Sequence, residues 1–165
     1  MRGETPTTDL SETVRTMATR LLGLKGIAEP ESAVKGAVSS GAAYDKFREF
    51  VMAQGGDARA LEDLPISNEA QDMVASRTGY VARVAALEVG RAALLLGAGK
   101  EKKGDEVDPG AGIELFVKIG GEVEKGQPVA RLYGKRKARR AEELISEALK
   151  ISDAPVECLP AILRS

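Results

Sequence analysis

Histidine and tryptophan are both absent from the 165 residues. Without histidine, any catalytic proposal lacks the commonest general base and metal ligand. The single cysteine, Cys158, excludes an internal disulfide and is compatible with a reducing compartment. With no histidine to activate it, Cys158 reads as a small, partly buried residue and not as a catalytic thiol. Aromatics are scarce, with three Phe and three Tyr, so no stacking platform for nucleic-acid bases is expected. No run of about 18 apolar residues occurs, which predicts no transmembrane helix. The polar start Met1-Arg2-Gly3-Glu4 lacks an apolar signal core, and the chain is read as cytoplasmic. An excess of either charge is also lacking: 24 Lys plus Arg stand against 25 Asp plus Glu, a net of −1. No general attraction to nucleic acid or to an anionic membrane follows, and neither is expected as a partner.

What is present divides into a helical first third and a strand-rich remainder. Residues 1–8 read as a polar leader, and Asp9 as an N-cap with Glu12 as its capping-box partner. Leu10, Val14, Met17 and Leu21 recur at helical spacing, extended by Leu22 and Leu24, with Gly23 and Gly26 at the end. Met17 reads as core filler. Pro30 suits the first turn of a second helix with a thin apolar face of Ala33, Val34, Ala37 and Val38. A serine at Ser39-Ser40-Gly41 is placed to cap a third helix bearing Tyr44, Phe47, Phe50 and Val51, closed by Gln54-Gly55-Gly56-Asp57. Residues 57–77 hold no period and read as a connector.

From Gly79 the period changes. Tyr80 to Ala85 alternates as a strand, Leu87 to Leu96 reads as a helix with small residues, and Lys100 to Pro109 is a charged loop. Ile113, Leu115, Val117 and Ile119 alternate with polar or aromatic residues, Gly120-Gly121 turns the chain, and Val123 and Val129 to Tyr133 supply further strand. Lys135 to Leu149 reads as a helix with Ala138, Ala141, Leu144, Ile145 and Ala148 on its apolar side. Its opening cations, Lys135, Arg136 and Lys137, run against the helix dipole. Ile151 to Cys158 reads as a last strand, with Pro155 marking an edge. The expected class is α+β: an N-terminal helical segment, then an α/β-hammerhead (barrel-sandwich-like) small mixed sheet with two helices. Domain limits are set at 1–57, 58–77 as connector, and 78–165.

Four stretches bear on chemistry. Gly97-Ala98-Gly99-Lys100 lacks the spacing of a Walker loop and follows a helix instead of opening one, which argues against a phosphate cradle. Asp105 and Asp108 form a carboxylate pair without a third ligand nearby in sequence; a loop stapled by Lys102 and Lys103 is the simpler account. The cluster Lys135, Arg136, Lys137, Arg139 and Arg140 is diluted by Glu142, Glu143 and Glu147, so a solvated helix face is preferred over a nucleic-acid contact. Glu122 to Val129 resembles the turn of biotinyl and lipoyl carrier domains, but the Met-Lys-Met or Asp-Lys tip that carries the cofactor there is not present.

A family resemblance rests on a combination of short pieces. Ser40-Gly41, Lys46-Phe47 and Ala53-Gln54-Gly55-Gly56-Asp57 resemble a helix end of the thymidine and pyrimidine-nucleoside phosphorylases. Gly90-Arg91, Leu96-Gly97-Ala98-Gly99, Lys103-Gly104-Asp105 and Asp108-Pro109 resemble their C-terminal domain. Gly112-Ile113, Val117-Lys118, Gly120, Val123 and Lys125-Gly126 continue the match. Arg2-Gly3-Glu4 and Asp9-Leu10 are similar to the segment before the family's long helix.

The resemblance implies a parent pentosyltransferase of nucleoside salvage. It would convert a pyrimidine nucleoside and phosphate to free base and (deoxy)ribose 1-phosphate. This chain would be its truncated C-terminal scaffold, with Met1 an added start. In the family the phosphate loop, the catalytic histidine and the groups holding the base lie upstream. The resemblance therefore implies no catalytic, substrate-binding, cofactor or metal residue here, no cofactor, and no activity in isolation. The implied partner is the N-terminal catalytic part, which would bind phosphate and nucleoside in a homodimeric parent. The alternative reading is a stand-alone hammerhead binding module without enzymatic activity.

Overall fold

The computed structural model describes residues 8–158 and 160–162. The described residues form two compact units, one comprising residues 8–63 together with 160–162, the other residues 64–158.

The first unit is helical: α1 (Thr8–Leu24), α2 (Pro30–Ser39), α3 (Ala42–Ala53) and a 3-10 turn (Ala58–Glu62). α1 packs on α2, and α2 on α3. Pro30 occupies the first turn of α2, where its missing N–H would be unpaired in any case. Thr8 is already helical, so Asp9 lies inside the first turn of α1 and is not its N-cap; the carboxylate still suits the positive end of the helix. Gly41, left-handed at φ 83°, is the N-cap of α3, while Ser40 Oγ accepts from the Ala42 amide at 3.4 Å. Gly55, at φ 82°, turns the chain out of α3. Arg2-Gly3-Glu4 lies outside the described residues.

This unit has almost no core. Among its described residues only Ala58 is fully buried, and α2 and α3 bury none. The apolar stripe of α1 faces outward, and Met17, expected as core filler, is 60% exposed. The spacing of the stripe was legible, but the surface that would cover it is not among the described residues.

The second unit contains β1 (Ala70–Val74), β2 (Gly79–Val84), α4 (Ala86–Ala93), β3 (Gly112–Leu115), β4 (Glu122–Val123), β5 (Pro128–Tyr133), α5 (Ala138–Ala148) and β6 (Leu149–Ser152). The α+β class stands. Where the sequence pattern suggests one mixed sheet, the strands form two three-stranded sheets, β1-β5-β3 and β4-β2-β6, and every pairing is antiparallel.

β1 falls in the stretch read as a connector. It is an edge strand exposed along most of its length, so Ala70-Gln71-Asp72-Met73-Val74 shows no clean alternation. Its pairing with β5 is reinforced by Asp72, which accepts from Arg131 at 2.5 and 2.8 Å. The alternation from Ile113 to Ile119 outlasts the strand it predicts. β3 ends at Leu115 because the chain crosses between sheets there: the Phe116 amide donates to Val129, and the Gly120 amide to Val81 in the other sheet, at 2.8 Å. Val117 packs on the cluster of Ala75, Val81, Val123 and Val129, to which both sheets contribute. β6 begins as α5 ends and stops at Ser152, short of Pro155. Cys158, expected to be partly buried, is exposed.

Two clusters hold this unit. Ala92, Leu96, Ala130, Leu132, Ala141, Leu144 and Ile145 join α4 and α5 to β5. Ala75, Val81, Val123 and Val129 fill the space between the sheets, with Met73 and Leu149 packed against both clusters. The i, i+3, i+4, i+7 set Ala141, Leu144, Ile145 and Ala148 is the buried face of α5, as its period requires.

Gly134 ends β5 at φ 113°, and a Cβ there would lie 2.7 Å from the Leu96 carbonyl oxygen and 3.2 Å from Ala111 Cβ. Gly134→Ala meets both a forbidden backbone conformation and a backbone clash. It is expected to lower the stability of the chain by more than about 1 kcal/mol, read by urea denaturation. An unchanged midpoint would contradict this packing.

Candidate functional site

The charged loop after α4 is the first place to seek chemistry. α4 runs into a wider turn, Leu94–Ala98, broken at Gly97, whose φ is 118°. A Cβ at Gly97 would lie 3.3 Å from Asp108 Cβ, and the Gly97 carbonyl accepts from the Asp108 amide at 2.9 Å. The loop therefore returns to the point it left. Asp108 Oδ1 takes the Gly110 amide at 2.8 Å, and the Gly110 carbonyl takes the Ser67 amide at 2.9 Å.

Inside the loop, Asp105 Oδ2 accepts from two successive amides, Glu101 at 3.1 Å and Lys102 at 3.0 Å. Successive amides of this kind form an anion-binding concavity, and here a carboxylate of the chain itself fills it. Arg136 reaches Asp105 at 3.3 Å and Glu101 at 3.2 Å, and Lys137 Nζ contacts both Glu101 oxygens at 2.8 and 2.6 Å. Lys135 lies 3.8 Å from Glu69. The Lys102 amide above all, with the Arg136 guanidinium and the Glu101 amide, holds the Asp105 carboxyl below its ordinary 3.8, against the opposing effect of desolvation.

These contacts explain the reversed charge order of α5. Lys135 and Arg136 precede the helix, Lys137 is its N-cap, and their charges are neutralised by Glu69, Glu101 and Asp105. Lys137 is the one non-glycine at positive φ among the described residues, at 46°. It holds this uncommon conformation while its ammonium contacts Glu101.

The sequence candidates are thereby sorted. The amides just after Gly97 to Lys100, those of Glu101 and Lys102, donate to Asp105. Asp105 and Asp108 lie in one loop but serve different partners. Among the described residues no group of three or more His, Cys, Asp or Glu gathers to hold a metal ion. Asp105 and Asp108 are not stapled by the Lys102 and Lys103 side chains; the Lys102 amide and Arg136 hold Asp105 instead. Arg139 and Arg140 both pair along α5 with Glu143, at 3.8 and 2.7 Å. The carrier-like turn is tied through its backbone: the Lys125 amide donates to Thr78 Oγ1 at 3.0 Å and the Gly126 amide to Ala75 at 2.9 Å.

A second feature escaped sequence reasoning. A cavity of about 320 Å³ is lined by Met73, Val81, Val117, Val129, Ile145 and Leu149, with Arg77 beside it. Arg77 is held by Asp153 and by the Ile151 carbonyl. The lining is mostly apolar and comes from both sheets and α5, so no local pattern announces it.

Residues 80–152, which carry the clasped loop, β5 and α5, match the family described as Pyrimidine nucleoside phosphorylase C-terminal domain. This stretch belongs to the pyrimidine nucleoside phosphorylase C-terminal domain family. Similarity extends beyond the phosphorylase C-terminal domain. The pyrimidine-nucleoside phosphorylase of Bacillus subtilis (strain 168) is 38% identical over 143 residues, covering 82% of this chain and 33% of that protein. The pyrimidine-nucleoside phosphorylase of Staphylococcus aureus (strain USA300) is 34% identical over the same length, again 82% of this chain and 33% of the relative. The chain thus spans about a third of the length of the curated relatives it matches. β1, at residues 70–74, lies before the family match yet completes a sheet of the phosphorylase C-terminal domain.

A carboxyl held below its ordinary value stabilises the fold above that value, and the contribution is lost as pH falls through the folded value. Asp105→Asn is therefore expected to melt below the wild type at pH 7, with the gap closing as pH falls past 3.8. Thermal melts across pH check this; a gap that persists in acid would remove Asp105 from the account.

Proposed function

We propose that this chain is the C-terminal scaffold of a pyrimidine-nucleoside (thymidine) phosphorylase. With an N-terminal catalytic part it takes part in converting a pyrimidine nucleoside and phosphate to free base and (deoxy)ribose 1-phosphate, in a homodimeric, cytoplasmic parent. The observation that carries this reading is the similarity itself: it runs over 82% of this chain but only 33% of the Bacillus subtilis relative. Residues 1–57 then belong to a larger domain, 58–77 connect, and 78–165 form the C-terminal domain. No residue of the chain is assigned to catalysis or to substrate.

Two features support a scaffold role. Phosphorolysis needs cationic and hydrogen-bonding groups around phosphate and a group that stabilises the departing base. The cations best placed for an anion, Arg136 and Lys137, are bound to Glu101 and Asp105. The helical unit also leaves a row of large apolar residues exposed, as an element folded against a larger body would.

Purified chain incubated with thymidine or uridine is expected to show no phosphate-dependent release of base. A chimaera in which this chain replaces the matching 143 residues of the Bacillus subtilis relative is expected to be active. Turnover by the chain alone would overturn the scaffold role. A folded but inactive chimaera would count against the phosphorylase assignment.

A further inference from the structure

The cavity of about 320 Å³ lies wholly within the second unit, and its wall grades from apolar and buried to polar and exposed. Ala75, Val81, Val129 and Ile145 form the deep end, each at 5% exposure or less. Met73, Val117, Leu149 and Ile151 form the sides and are half-buried. Ser76, Arg77, Ser146 and Lys150, with Val74, are exposed and form the rim.

The backbone of the deep end is already paired. The Ala75 amide donates to Gln127 and its carbonyl accepts from Gly126. The Val81 amide donates to Gly121 and its carbonyl accepts from Gly120, while the Val129 carbonyl accepts from Phe116. Water placed there would lack the polar partners that hold a buried water, so the deep end favours an apolar group. The rim has the opposite character. Its charged residues are the cations Arg77 and Lys150, and no carboxylate lines the cavity among the described residues. Arg77 donates to Asp153 and to the Ile151 carbonyl, which fixes the guanidinium and leaves its other N–H groups unspent. Asp153 offsets one of the two cations, and one positive charge remains. At about 30 Å³ for each water-sized group, the cavity has room for about ten such groups.

We infer that this cavity binds a medium-chain monocarboxylate, with the hydrocarbon tail against Val81, Val129 and Ile145 and the carboxylate at the rim with Arg77 and Lys150. An apolar interior with a few polar groups at its edge is the usual make-up of a small-molecule site. Octanoate, with about ten non-hydrogen atoms, matches the volume. The inference stands apart from the phosphorylase reading: an inactive chimaera would leave it untouched, and failure to bind octanoate would leave the scaffold role untouched.

The test is a titration of the full chain with octanoate, followed through backbone amide chemical shifts. Saturable one-to-one binding is expected below about 1 mM, with the shifts centred on Ala75, Val81, Ile145 and Leu149. Butyrate should bind more than about a hundredfold more weakly, since it leaves the deep end unfilled. Octanol should bind about tenfold more weakly than octanoate, since it brings no charge to the rim. Arg77→Gln with Lys150→Gln should erase the preference for octanoate over octanol. Ser146→Trp, at an exposed position, should close the opening and abolish binding without lowering the melting temperature.

Absence of saturable shifts in wild type would overturn the proposal, as would shifts confined to the exposed apolar residues of α1. Equal binding of octylamine or octanol would remove the anionic head, and equal binding of butyrate the tail. Should Ser146→Trp fail to fold, the ligand series and the double glutamine variant still decide. An octanoate preference that survives the loss of both cations would sink the assignment.

Discussion

Close approach of α4 and α5 to β5 is the constraint on which the second unit depends. It is made possible by alanines with no exposed surface: Ala92 on α4, Ala130 on β5, and Ala141 and Ala148 on α5. Side chains this small let backbones come together, and interiors at close-packed density do not absorb added methylenes without displacement. Leu96, Leu132 and Ile145 then fill the remaining space, each nearly or fully buried and contributing about 1.5–3 kcal/mol by leaving water. With α5 fixed in this way, its N-terminus can stand only beside the loop that follows α4. Arg136 and Lys137 meet Glu101 and Asp105 there as a consequence of packing.

The clasp that results has the parts of an anion site, arranged so that they satisfy one another. Two successive amides and a guanidinium converge on a single carboxylate, and that carboxylate is Asp105. A free phosphate would have to displace a tethered group held by several hydrogen bonds. The same parts without Asp105 would attract a ligand; with it they close a loop.

The two units stand in different energetic positions. The strand-containing unit has two buried clusters and paired sheets. The helical unit has the periodicity of a packed structure but, among its described residues, a single fully buried one. Helices of this length draw most of their stability from tertiary burial of an apolar face. A helical unit with its best apolar seam exposed is therefore stable to the extent that something covers it. That accords with a chain that matches relatives about three times its length.

Much of this was legible in the residues, and the failures have a common cause. Local periodicity gave the three N-terminal helices, β2, β5 and the buried face of α5, because each pattern is written in consecutive residues. The short motifs around Gly97, Asp105 and Gly126 pointed to the phosphorylase C-terminal domain for the same reason. Tertiary structure alone decided the rest. It made β1 a strand, since an exposed edge strand is held by the ladder of its neighbour and not by its own alternation. It ended β3 at Leu115, since the crossing between sheets depends on where Val129 and Val81 stand. It turned Lys135, Arg136 and Lys137 from a dipole conflict into a clasp by bringing Glu69, Glu101 and Asp105 to them from 30 or more residues away. Sequence by itself determines which faces are apolar and where the chain can turn. Which of those faces become buried depends on what stands opposite, and that is a property of the assembled fold.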